Sequence, residues 1–165
     1  IPPSTMLKAR LGMTVGRRDD IAYSILLITP VLLYASIGAN PLYTGSGYLV
    51  AVPAAVFVLG LIIRTPALFL TGTTAAAVAT LLIYMNIMAS LDHPEGLFGL
   101  GHVFSMPGML VGAAASAWLL RYRVKASLPW IVAGVGFLGT ALGFTVAQMV
   151  VCNTLMYCGP LSIGV

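Results

Sequence analysis

Charge is what this chain has least of. Eight residues of 165 are Lys or Arg and four are Asp or Glu, 7% together, where a soluble globular domain carries roughly 25%. That shortage excludes an ordinary soluble enzyme. It also excludes a disordered segment, which combines low hydrophobicity with high net charge, because 59% of the residues are hydrophobic. The eighteen glycines and ten prolines follow no Gly-X-Y period, so a collagen is excluded too. Cysteine occurs twice and never as the C-x-x-C pair of a thiol oxidoreductase. A phosphate loop, a nucleophile elbow and an H-E-x-x-H helix are all missing.

What is present is apolar length. The mean hydropathy of +1.02 and five long apolar stretches point to an all-α integral membrane protein, a bundle of five transmembrane helices in a single domain covering residues 1–165. A helical span needs about 20 apolar residues. The stretches that approach this are 21–39, 48–63, 67–90, 103–120 and 128–151. The second is short and holds Pro53, so a re-entrant hairpin competes with a full crossing there. Arg17 to Ala39 has the outline of a signal peptide, but Asp19 and Asp20 follow its arginines directly and Ile37 is bulky for a cleavage motif. It reads as an uncleaved first span.

The few charges decide between topologies. Lys8, Arg10, Arg17 and Arg18 precede the first span, Arg64 falls between the second and third, and Arg121, Arg123 and Lys125 fall between the fourth and fifth. Five spans place all of them on one side, whereas four spans would split them. The positive-inside rule therefore favours five, with the N-terminus cytoplasmic and the C-terminus outside. Such flanking charges read as topology signals and contacts to anionic headgroups, not as a nucleic-acid surface. The expected setting is a bacterial inner membrane, crossed several times.

Small residues recur at helical spacing. Gly108, Gly112 and Ser116 form one stripe in the fourth span, and Gly139, Gly143 and Ala147 another in the fifth. Thr71, Ala75 and Ala79 do the same in the third. Membrane helices associate through such close-packing stripes, so spans three to five should form the tight core. Asn86 and Gln148 are expected to hydrogen-bond between spans three and five. Inside the expected spans there is no ionisable residue that would mark a pump or relay.

Two places offer chemistry. The outer loop around Asp92, His93, Glu95 and His102 holds imidazoles and carboxylates that suit zinc or copper, with Met88, Met106 and Met109 nearby. Its spacing matches no fixed ligand pattern, and a solvated polar loop has the same composition. Cys152 and Cys158 lie at the outer end of span five, where a bridge requires the helix to end near Asn153. Redox cycling of these thiols is the enzymatic alternative.

The expectation from these absences and stripes is a non-catalytic membrane subunit or regulator without a cofactor. Its partners would be the bilayer and other membrane proteins, or further copies of itself. The alternative is a small transporter or channel, for a metal ion or an apolar solute, with the His/Asp/Glu/Met cluster as its entry site.

Overall fold

The computed structural model describes residues 16–36, 46–63, 65–90, 97–123 and 128–155. Every regular element among them is an α-helix: α1 (Arg17–Ser36), α2 (Ser46–Ile63), α3 (Phe69–Ala89), α4 (Leu97–Tyr122) and α5 (Pro129–Thr154). Among the described residues three stretches are long and apolar enough to cross a membrane, namely Phe69–Ile87, Leu100–Tyr122 and Pro129–Thr154, while Gly47–Ile63 is a shorter apolar helix. This is a membrane protein. The first helix opens on Arg17, Arg18, Asp19 and Asp20, which shortens its apolar part.

Helix formation in this setting is driven by the backbone. Without water, each N–H and C=O must be satisfied within its own segment. Side-chain hydroxyls follow the same rule by bonding back to carbonyls one turn earlier. Ser24 donates to the carbonyl of Asp20 at 2.7 Å, Thr29 to Ile25 at 2.9 Å and Thr140 to Gly136 at 2.8 Å. Pro129 stands in the first turn of α5, where its missing N–H costs no helical bond. Pro30, Pro53 and Pro107 instead lie inside helices. Pro107 lies inside α4 because that helix begins at Leu97, six residues ahead of the expected span start at 103.

The central element is α3, which touches all four other helices. Its core is layered along the bundle. At one end Phe69 packs with Ala117, Leu120 and Val132. In the middle Ala77 meets Val52, Val56, Met109 and Phe144. At the other end Leu81 and Met85 meet Val31 and Leu49. The first end also holds Arg17, Arg18, Arg121 and Arg123, all exposed.

The closest pair is α4 with α5. A Cβ on Gly112 would overlap the carbonyl oxygen of Gly139 and come within 2.9 Å of the Gly143 Cα. One on Gly143 would overlap the Gly108 carbonyl oxygen, and one on Gly139 would lie 2.5 Å from the Ser116 Cβ. The two stripes therefore face each other within the chain, backbone against backbone. The same intimacy joins α3 to α5, where a Cβ on Gly72 would overlap the Ala133 carbonyl.

Candidate functional site

The arginine-poor end of the bundle contains a buried polar cluster drawn from four helices. His102 comes from the second turn of α4 and is wholly buried. The sequence places it beside an outer loop, since Gly96, Gly99 and Gly101 surround it. In the structure those glycines belong partly to α4, whose early start carries the imidazole inward. Tight helix packing tolerates such glycines, which a propensity reading counts as breakers. The ring is walled by aromatics: Tyr84 at 5.0 Å between centroids, Phe144 at 4.8 Å and Tyr48 at 5.8 Å.

A hydrogen bond joins Nδ1 of His102 to the hydroxyl of Tyr48 and so ties α4 to α2. Nε2 is buried and has no hydrogen-bond partner among the described residues. One polar group is left over in either tautomer. If the tyrosine donates, the Nε2 proton is unpaired; if Nδ1 donates, Nε2 keeps a bare lone pair and the phenolic proton must go elsewhere.

Beside it runs a second chain of polar contacts. Ser105 shares its single hydroxyl proton between the Gly101 carbonyl at 2.8 Å and Oε1 of Gln148 at 2.6 Å. Nε2 of Gln148 donates to Sγ of Cys152 at 3.3 Å, and the Gln148 side chain also hydrogen-bonds with Tyr84. Gln148 thus uses its amide to join α5 to α4 and α3. Asn86, the expected partner, is exposed and takes no part. The reason is register: in α3 it is Tyr84, not Asn86, that turns toward α5.

Of the residues singled out as metal ligands, Asp92, His93 and Glu95 lie outside the described residues. Among the described residues no three or more His, Cys, Asp or Glu side chains come together. Cys152 is disulfide-bonded; Cys158, its expected partner, lies outside the described residues. The helix beneath it closes at Thr154, with the Leu155 N–H bonded to the Val151 carbonyl at 2.9 Å.

Two features escaped the sequence reading. Neither Tyr48 nor Tyr84 stands out in the sequence as a site residue, yet their hydroxyls enter the buried network. At the opposite end, Asp20 is buried (3% exposed) and caps α3 from another helix. Its carboxylate accepts from the N–H of Thr71 at 2.7 Å, the N–H of Leu70 at 3.2 Å and the Thr71 hydroxyl at 2.6 Å. These are first-turn amides that the helix leaves unpaired, and a carboxylate is favoured there by the helix dipole.

The Tyr48 contact supplies a direct test of the cluster. Tyr48→Phe leaves a wholly buried imidazole nitrogen without its partner, at a cost of about 1–3 kcal/mol. Unfolding of the purified protein by detergent titration should register this loss, and His102→Phe in addition should recover part of it. Equal stability of wild type and Tyr48→Phe would mean the bond carries nothing.

No family model, curated protein or solved structure matches the chain.

Proposed function

We propose that this protein is a non-catalytic membrane subunit that receives a transmembrane helix of another protein along the α4–α5 seam. The supporting observation is an apolar groove of about 760 Å³ running along that seam. Its floor is Gly108, Gly112, Gly139 and Gly143, and its walls include Leu138, Leu142 and Val146. A groove with a glycine floor admits a partner helix closely, which is how membrane helices gain packing contacts in a solvent as apolar as leucine. The proposal includes five crossings with the N-terminus cytoplasmic, in a bacterial inner membrane. The clustering of Arg17, Arg18, Arg121 and Arg123 at one end of the bundle favours that orientation.

A photo-crosslinking amino acid at Leu142 tests the reading in native membranes, with Ile25 of α1, another exposed apolar position, as control. The expected result is one discrete adduct from Leu142 and none from Ile25. Adducts at twice the 17.2 kDa chain mass would replace the reading with a homo-oligomer, and lipid adducts alone would remove it.

One observation favours a second reading, transport. An ionisable side chain inside a membrane bundle is a functional group by default, and His102 is such a group with a nitrogen to spare. In that reading purified protein carries stoichiometric copper or zinc that His102→Ala removes. Protein free of metal after supplementation would eliminate the metal version.

A further inference from the structure

The arginine-bearing end of the bundle holds a second cavity, on the opposite side of α4 from the α4–α5 groove. It is a cleft of about 520 Å³ between the last turns of α2 and α4, lined by Ile62, Ile63, Thr65, Pro66, Ala117 and Arg121. Its chemistry is divided. Ile62, Ile63 and Ala117 make apolar walls, while the Arg121 guanidinium and the Thr65 hydroxyl supply polar groups at the rim. A guanidinium presents a planar fork of N–H donors that matches two phosphate oxygens at once.

Among the described residues the surroundings carry more positive than negative charge. Arg121 and Arg123 are exposed, as are Arg17 and Arg18 on α1. Arg17 reaches the last turn of α2, its Nη2 donating to the Leu61 carbonyl at 2.9 Å, one residue from the cleft wall. Two carboxylates occur among the described residues, and both are committed elsewhere. Asp19 accepts the Gly16 N–H at 2.8 Å, and Asp20 is spent on the first turn of α3.

We propose that this cleft is a binding site for an anionic phospholipid. The phosphodiester sits on Arg121 and Thr65, and an acyl chain runs down the wall formed by Ile62, Ile63 and Ala117. The position suits the ligand, because the cleft opens at the helix ends, where headgroups lie, and basic pockets between membrane helices at this depth bind acidic headgroups. The apolar walls favour a lipid over a soluble phosphate. The excess of arginine over aspartate among the described residues of this end, four against two, favours an anionic lipid over a zwitterionic one.

The test is competition for the purified full chain in mild detergent, read by native mass spectrometry. Phosphatidylglycerol and phosphatidylcholine of matched chain length are offered in equal amounts. The expected result is a preference for phosphatidylglycerol that Arg121→Gln lowers by about fivefold, the contribution of one basic residue near a charged lipid surface. Arg123→Gln, which removes the same charge away from the cleft, should lower it less. Thr65→Val, which keeps the shape and removes the hydroxyl, should also weaken retention, so the proposal does not hang on one variant. Equal retention of both lipids would overturn it. So would equal losses from Arg121→Gln and Arg123→Gln, which would mean diffuse surface attraction. Full displacement of the lipid by inorganic phosphate would assign the site to a free anion.

Discussion

Gly112→Leu should destabilise the protein by about 3 kcal/mol, the upper part of the usual range for overpacking a filled interior. Even a Cβ at this position overlaps the Gly139 carbonyl oxygen and crowds the Gly143 Cα. A backbone carbonyl cannot rotate away as a side-chain tip can, so α4 and α5 must separate along the length of the seam. Gly139→Leu should act alike, through Ser116 and the Gly112 carbonyl. Gly134→Leu is the control, since a Cβ there meets nothing within 4 Å, and its effect should stay within about 0.5 kcal/mol. The measurement is unfolding by denaturing detergent, followed by tryptophan fluorescence. Trp118 and Trp130 lie on α4 and α5 respectively, so their signal reports this pair. Similar midpoints for Gly112→Leu and Gly134→Leu would contradict the packing described.

The second large effect is expected at the other helix junction. Asp20→Leu removes the acceptor for two backbone amides and one hydroxyl of α3 in a position shielded from water. Hydrogen bonds to a charged group contribute about 1.5–3 kcal/mol each, and stranding their buried partners costs on a similar scale. A loss of roughly 3 kcal/mol is therefore expected. Asp20→Asn keeps one acceptor oxygen and should lose about half as much. Asp19→Asn, at an exposed residue bonded to the Gly16 N–H, should lose a few tenths of a kcal/mol. The same detergent titration separates the three. If Asp20→Leu behaved like Asp19→Asn, the cap would be without energetic weight.

These two sites also show what a single sequence does and does not expose. The glycine stripes were readable because their i, i+4 spacing is local and a helix converts it directly into one face. Their mutual pairing was not, since a stripe carries no label for its partner. Asp20 read as one more polar residue ahead of a span. The amides it caps lie fifty residues away, so no local pattern joins them. The start of α4 was misplaced for a related reason. Gly96, Gly99 and Gly101 suggest a loop by propensity, but close packing in the bundle favours small residues and carries the helix back to Leu97. That shift of six residues moved His102 from an expected loop position to the centre of a buried cluster. The helices lie within a few residues of the expected apolar stretches at most boundaries, and among the described residues three of them are long and apolar enough to cross a bilayer.

The α4–α5 groove gives the central claim its sharpest test. Extraction of the chain from its native membrane in mild detergent, with the mass and composition of the particle measured, should give a stoichiometric assembly with an unrelated membrane protein. Leu142→Trp, which fills the groove at an exposed position without entering the glycine seam, should release this chain from that assembly while leaving its own unfolding midpoint unchanged. A lone chain, a homo-oligomer, or an assembly indifferent to Leu142→Trp would contradict the account.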